Sequence, residues 1–408
     1  MSEQLGDLRG KRILFGVTGG IAAYKAVDVV SRLRKRGAEV HVVMTEAATR
    51  LVTPLTFRTI SANPVHLDLF DEPKRWNVEH VELAERCDIL VVIPATANIM
   101  AKAVAGIADD FLSTLIVAFD GPRLMAPAMN HRMWENPATQ RNRRQLEAFG
   151  FVLVEPDVGR LASGAEGRGR LPSPELLEEE VASLAYADTA LAGKRVLVTA
   201  GPTREYFDPA RFLSNPSSGK MGYALARAAR ERGAAVDLVS GPVNLPCPRG
   251  VRRHSVVSTE EMLDRCLKLW PEIDILLMSA AVSEYRPTHY CSDKIKKTGE
   301  GLPPLTSTPD IISTLSQERE EPFILGFAAE TGPEEEACGK AQDKLIRKGM
   351  DMIALNRIGG ERGGFGSDLN RVVLMDRSGT ESLPMMHKRS LARLIVQRVV
   401  HKTGEGCR

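Results

Sequence analysis

Three short polar runs in the first half of the chain follow apolar runs, where an α/β sheet would expose them. Thr18-Gly19-Gly20-Ile21-Ala22-Ala23 lies between the apolar run Ile13–Val17 and a helical stretch. Glycine permits close backbone approach, and a helix N-terminus offers N–H groups to an anion, so this run suits a phosphate. It does not meet GxGxxG, and a tight turn with no ligand accounts for it equally well. Ala95-Thr96-Ala97-Asn98 and Pro127-Ala128-Met129-Asn130-His131 end two further apolar runs. Three polar turns at one sheet edge argue for a site more strongly than any one alone. His80, in Val78-Glu79-His80-Val81, sits at a predicted helix start; spacing alone makes it a surface or capping histidine.

The second half carries other candidates. Ser214-Asn215-Pro216-Ser217-Ser218-Gly219-Lys220-Met221-Gly222 superficially suggests a P-loop, but Met221 stands where Ser or Thr must follow the lysine. A Walker motif is excluded, and a glycine-rich helix entry remains, either anion site or plain turn. Lys294-Ile295-Lys296-Lys297 is a compact basic run, and Lys344 and Lys348 are one helical turn apart. Alone, such lysines read as a solvated face.

The elements that must position these residues begin twice. Gly10-Lys11-Arg12 opens Ile13–Val17 and Thr18-Gly19-Gly20; Gly193-Lys194-Arg195 opens Val196–Val198 and Thr199-Ala200-Gly201. Each following helix closes on Arg-Gly-Ala, at Arg36-Gly37-Ala38 and Arg232-Gly233-Ala234, with glycine placed as a C′ residue before a second strand. Strand, helix, strand is a parallel βαβ unit, so the predicted class is α/β with two doubly wound Rossmann-like domains. Further strands are predicted at 88–94, 123–126, 151–154, 273–278, 323–326, 352–355 and 372–375. Pro172 to Ala192, with its acidic run Glu178-Glu179-Glu180, reads as a charged helix plus linker, and places domains at 1–190 and 191–408. The second opening is longer by 13 residues, all within Pro202–Lys220. That long loop leaves the carboxyl end of a first strand, where open α/β sheets bind ligands.

Composition bounds the function. Lys plus Arg number 54 and Asp plus Glu 52 in 408 residues, a net charge of +2. This near balance argues against a nucleic-acid binder held by a basic field. The N-terminus is polar and acidic, unlike a signal peptide, and the longest apolar stretch, Ile89–Ala101, is too short to span a bilayer. Six cysteines form no CxxC pair and read as reduced thiols. The expected location is the cytoplasm.

The motifs Thr18–Lys25, Met44-Thr45-Glu46-Ala47-Ala48, Pro94-Ala95-Thr96-Ala97-Asn98 and Pro127-Ala128-Met129-Asn130 resemble those of the flavin-dependent cysteine decarboxylases. The resemblance implies a flavodoxin-like flavoprotein as the first domain and assigns FMN to Gly19, Gly20, Ile21, Thr45, Pro94, Ala95, Thr96, Asn98 and Met129. It makes His80 a catalytic base and gives Asn130 the substrate carboxylate. An imidazole, with its ordinary pKa of about 6.5, suits proton transfer at neutral pH. A flavin is needed because simple loss of carbon dioxide from a C-terminal cysteine leaves an unstabilised carbanion. Oxidation of the thiol to a thioaldehyde turns that carbanion into an enethiolate.

The second half is similar to phosphopantothenate–cysteine ligases in Gly201–Glu205, Ser214–Gly222, Ser279–Tyr285, the Lys294 run and Gly326–Thr331. Together the halves resemble the bacterial bifunctional coenzyme A biosynthesis proteins. The resemblance implies that CTP activates 4′-phosphopantothenate as an acyl-cytidylate, which cysteine's amine then attacks. Phosphopantothenoylcysteine would next be decarboxylated to 4′-phosphopantetheine. CTP falls to Ala280, Glu284, Lys294, Pro309, Asp310, Ile311, Ile312, Phe327, Lys344 and Lys348, with catalysis by Arg211, Asn215 and Lys294. Mg²⁺ is expected mainly on the CTP phosphates, with Glu284 a candidate ligand. The implied partners are these small molecules and further copies of the chain, as a trimer-based dodecamer with ligase dimers, without nucleic acid or membrane.

One departure stands out. The decarboxylases' clamp, roughly Ala-Cys-Gly-x-x-Gly-x-Gly-Arg-Met, supplies a cysteine proton donor; here Ser163 and Leu171 replace the Cys and the Met. A serine hydroxyl is a far weaker acid than a thiol with its pKa of about 8.5. An active ligase whose first half stops at the enethiol, or only binds flavin as an assembly module, is the alternative that Ser163 keeps open.

Overall fold

The structure, a computed structural model, describes residues 8–69, 79–160, 164, 166–296, 303–357 and 366–405. It divides into two compact units, Met1–Tyr186 and Ala187–Arg408. In the first, β1 (Arg12–Val17), β2 (Glu39–Met44), β3 (Val65–His66), β4 (Ile89–Ala95), β5 (Arg123–Pro127) and β6 (Phe151–Leu153) form a parallel sheet of order 3-2-1-4-5-6. A hairpin of β7 (Asp157–Arg160) and β8 (Glu166–Arg170) follows.

The second unit begins with β9 (Arg195–Ala200), the hairpin β10 (Arg204–Asp208) and β11 (Arg211–Ser214), then β12 (Ala235–Ser240), β13 (Val251–Ser255) and β14 (Ile275–Met278). It continues with β15 (Tyr285–Pro287), β16 (Leu305–Ser307), β17 (Phe323–Glu330), β18 (Met352–Arg357) and β19 (Leu369–Asn370). The last strands are β20 (Val372–Asp376), β21 (Thr380–Ser382) and β22 (Met386–His387). Its main sheet has order 13-12-9-14-17-18-20-21, parallel except for β20 and β21. With the strands of this sheet alone numbered in chain order, its first six repeat the order 3-2-1-4-5-6.

Both sheets are therefore doubly wound, as the sequence predicts, and both reverse direction at the first strand. The first differs in strand order from flavodoxin itself, which narrows the expected flavodoxin-like description to the dinucleotide-binding order. Period-two alternation supplies a core on each face. Ile13, Phe15 and Val17 pack on one side with Val29 and Leu33, and Leu14 packs on the other with Leu90 and Val92. Strands buried on both faces read as continuous apolar runs, which is why the openings were recognisable.

The helix Pro174–Ala185 is not a linker but part of the first core: Leu177, Val181 and Ala182 are fully buried. Its acidic side meets Arg36, which donates to Glu178 (3.1 Å) and Glu179 (2.9 Å), and Arg32, which pairs with Glu175. Among the cysteines, burial pushes the Cys87 and Cys266 thiols up to about 12, which makes them inert. Among the described residues, no helix is long and apolar enough to cross a membrane.

The terminal helix Lys388–Glu405 docks on Lys220–Glu231 through a buried ion pair. Arg393 donates to both Glu231 oxygens, at 2.7 and 2.9 Å. Removing one partner of such a pair costs several kcal/mol. Glu231→Gln is expected to lower the unfolding free energy of this unit by about 3 kcal/mol in urea titration, with the first unit's transition unchanged.

Candidate active sites

In the first unit one buried hydroxyl spans the crevice where the sheet reverses. Thr18 Oγ1 donates to Pro94 O (2.7 Å) and accepts from Thr96 N (3.2 Å), which locks the turn after β1 to the turn after β4. Thr96 Oγ1 accepts from Ile99 N at 3.4 Å and caps the helix Ala97–Ala105. Gly19 approaches the turn after β2 so closely that a Cβ there would stand 2.4 Å from Ala47 Cβ. A Cβ on Gly20 would face Pro94, Thr96 and the Ala128 carbonyl at 3.7–4.0 Å. Turns after β1, β2, β4 and β5 thus converge on one cradle. No side chain caps the helix Ala23–Lys35 that leaves it.

Thr45 sits at the rim, preceding the helix Glu46–Thr49. Its Oγ1 is buried and has no hydrogen-bond partner among the described residues. An unsatisfied buried hydroxyl is costly unless a ligand completes it. That atom, with the glycine floor and the free helix start, fits an anionic cofactor such as a flavin phosphate. Pro94 and Ala95 are buried in the strand end, whereas Ile21 and Asn98 are exposed at the mouth.

Asn130 Oδ1 accepts from Arg132 N at 2.9 Å and caps the short helix His131–Glu135. The β7–β8 hairpin lies directly over this turn. Met129 N donates to Gly169 O at 3.0 Å, and a Cβ on Gly169 would fall 2.1 Å from Met129 O. Lys25 Nζ donates to Leu171 O (3.2 Å) and ties the hairpin's base to the cradle helix; burial, then Arg170, lower its pKa, against Asp157. Ser163, within the predicted clamp, lies outside the described residues. His80, on the helix Glu79–Arg86, meets Phe111 edge-on with centroids 6.4 Å apart. Phe111 shares its apolar cluster with Ile99 and Met129, which flank the cradle. No direct bond joins His80 to Asn130 among the described residues.

The second unit repeats the device. Thr199 Oγ1 donates to Met278 Sδ (3.0 Å) and accepts from Ser279 N (3.2 Å) and Ala280 N (3.1 Å), spanning β9 and β14. Beside it opens a cleft of about 630 Å³ lined by Ser218, Lys220, Ala280, Phe327, Asn356 and Lys388. Ala280 and Phe327 were expected there. Asn356 and Lys388 were not, because they arrive from strand and helix ends far along the chain. Asn356 Oδ1 is buried without a partner among the described residues, and Lys220 donates to Asp368 (2.7 Å).

The long loop expected over Pro202–Lys220 instead contains the β10–β11 hairpin. Buried Thr203 and Glu205 hold it: Thr259 donates to Glu205 Oε1 from its N (2.8 Å) and Oγ1 (2.7 Å), and Ser283 N donates to Thr203 Oγ1 (2.9 Å). Asn215 Nδ2 donates to Ala281 O (3.1 Å) and Val282 O (2.9 Å). Its amide nitrogen thus faces two backbone carbonyls, and in this conformation Asn215 anchors the loop rather than presenting its amide for the expected catalysis. Arg211 is partly exposed and pairs with Asp208 at 3.4 Å.

Three nucleotide expectations change. Ile311 and Ile312 side chains are 3% and 7% exposed within the core, so only their backbone can face a ligand. Lys344 donates to Glu330 (2.5 Å) and Lys348 pairs with Asp310 (2.8 Å), so both lysines already hold carboxylates. Burial opposes the Asp310 charge, but Lys348 and the helix N–H of Ser313 hold its carboxyl below the usual range. Lys294 is exposed, with no partner among the described residues; Pro309 and Glu284 are exposed as well. Among the described residues, no group of three or more His, Cys, Asp or Glu is placed to hold a metal ion.

Residues 1–185 match the Flavoprotein family, and residues 191–402 match the DNA/pantothenate metabolism flavoprotein C-terminal domain. The fold and sites thus belong to a flavoprotein unit joined to a pantothenate-metabolism unit. The coenzyme A biosynthesis bifunctional protein CoaBC of Vibrio cholerae is 43% identical over 400 residues, covering 97% of this chain and 99% of that one. Those of Bacillus subtilis and Escherichia coli are 41% and 40% identical, each covering 98% of this chain and 99% of the relative. The chain belongs to this family of bifunctional coenzyme A biosynthesis proteins, and is an enzyme with decarboxylase and ligase activities.

Gly169→Ala drives a methyl into the Met129 carbonyl, so the hairpin must lift off the Asn130 turn. Decarboxylation is expected to fall by about a hundredfold while ligation holds, measured as separate rates on one preparation.

Proposed function

We propose that the second unit joins cysteine to 4′-phosphopantothenate with CTP through an acyl-cytidylate, and that the first decarboxylates the product with FMN. The observation that carries this reading is the first unit's cradle, where four turns converge on Gly19 and Gly20 and the Thr45 hydroxyl lacks a partner among the described residues. Bound FMN would supply oxidation of the substrate thiol, which makes the neighbouring carboxylate a leaving group.

His80 takes the proton released in that oxidation, its ring held by Phe111. Asn130 orients the departing carboxylate, and the β7–β8 hairpin covers the turn and excludes water. Gly19, Gly20 and Thr96 receive the cofactor phosphate end. Ile21, Pro94, Ala95, Asn98 and Met129 complete the pocket. Ser163, a weak acid, leaves the final proton delivery to another group or to water.

In the second unit a carboxylate must attack a polyanion, so repulsion has to be cancelled. Exposed Lys294 is available for this. Lys344 and Lys348 take part by exchanging Glu330 and Asp310 for phosphate oxygens. Mg²⁺ travels mainly on the CTP phosphates, with exposed Glu284 a candidate ligand. Arg211 meets the acyl intermediate, and Asn215 anchors the loop that presents it. We further assign the chain to the cytoplasm and to a homo-oligomer of trimers and ligase dimers. Support comes from exposed Ile21 and Tyr24 beside the cradle, and from exposed Phe212, Tyr285, Tyr290 and Leu305 on the second unit's hairpins.

Mass spectrometry of products from 4′-phosphopantothenate, cysteine, CTP and Mg²⁺ tests the whole sequence. 4′-Phosphopantetheine is expected; accumulation of an enethiol lighter by two hydrogens contradicts the reading of the first unit. His80→Asn should stop the reaction at phosphopantothenoylcysteine, with decarboxylation reduced about a hundredfold or more and ligation unchanged.

A further inference from the structure

Asp208, at the end of β10, is fully buried and meets four donors. Its Oδ1 accepts from Ala210 N and Arg211 N, both at 2.8 Å, as a turn aspartate would. Its Oδ2 does something no turn requires. It accepts from Ile295 N, 87 residues away, at 3.1 Å, and stands 3.4 Å from Arg211 Nη1. Cys291 N adds a second stitch, donating to Phe207 O at 2.9 Å, so residues 291–295 run along the hairpin. Lys294 immediately precedes the pinned Ile295.

We infer that Asp208 is a positioning residue for the ligase reaction: its carboxylate fixes Arg211 and Lys294 relative to each other. The inference rests on the assignment of those two cations to CTP and the acyl intermediate. Two cations gathered for a polyanion repel each other and sample many rotamers before substrate arrives. A buried anion that grips one guanidinium and the backbone beside the ammonium reduces both costs. Burial works against the Asp208 charge, but three backbone N–H groups and Arg211 outweigh it and hold the carboxyl below the usual range. The group is therefore an anion throughout the neutral pH region.

The test compares Asp208→Asn and Asp208→Glu in the full chain, with Lys294→Ala and Arg211→Ala beside them. Asp208→Asn keeps an oxygen for the turn and loses the charge. It should raise KM for CTP and lower kcat of ligation, each by about tenfold at a temperature where the variant is fully folded, with decarboxylation unchanged. Asp208→Glu should recover part of both. In the Lys294→Ala background, Asp208→Asn should add little further loss. Wild-type KM and kcat in Asp208→Asn would overturn the inference. So would a loss of activity that follows the unfolded fraction with KM unchanged, or the same loss in Asp208→Glu with no recovery. Should Lys294→Ala and Arg211→Ala both ligate normally, the site assignment itself fails and the inference falls with it. Should they fail to ligate while Asp208→Asn is silent, only the positioning role is refuted.

Discussion

A buried threonine hydroxyl bridging two diverging strands is the contact on which both sites depend. Thr18 and Thr199 each stand at the carboxyl end of their unit's first strand. Each offers one lone-pair acceptor and one proton across the gap to the fourth strand. Sheet hydrogen bonding stops there, so without the hydroxyl the backbone N–H of Thr96, or those of Ser279 and Ala280, would lack a partner. Each such loss costs on the order of 1–3 kcal/mol. The hydroxyl therefore keeps a crevice open and shaped at the one place in the sheet where strands must part.

From that common frame the units diverge by what they add. The first adds proximity: a glycine pressed on Ala47, and a hairpin whose glycine rests on the Met129 carbonyl. Such contacts leave no room for a side chain at either glycine. The second adds reach. Its extra residues form a hairpin stitched to distant segments by Glu205, Asp208 and Asn215. Reach suits the proposed ligation, which gathers the charged groups of three substrates from several directions. In the proposed sequence, the amide made by one unit carries the cysteine carboxylate that the other removes.

How much of this was legible follows from where each signal resides. Both doubly wound frames were readable, because strands buried on two faces leave apolar runs and because Thr-x-Gly and Arg-Gly-Ala punctuation recurs. The strand end Pro94–Thr96 could be placed at a crevice for the same reason, whereas Ala280 was placed only by the resemblance to the ligases. Other features depended on long-range partners and left no local trace. Lys344 and Lys348 looked free until Glu330 and Asp310 came beside them. Ile311 and Ile312 follow a capping Asp310 in a motif-like run, yet amphipathicity turns their side chains inward. Asp208 carried no local mark of its role, since its second oxygen reaches a segment far along the chain. Asn356 enters the cleft from the sixth strand, which no motif marked.

The central claim is that each unit works at its own crevice, with flavin in one and the nucleotide in the other. Its most direct measurement is a crossed comparison of Thr18→Val and Thr199→Val, reading bound flavin per chain from visible absorbance and CTP-dependent ligation from pyrophosphate release. Thr18→Val should shed flavin and ligate normally, and Thr199→Val should keep its colour and lose ligation. A wild-type chain that purifies colourless and takes up no added FMN, or variants that lose both properties together, would contradict the account.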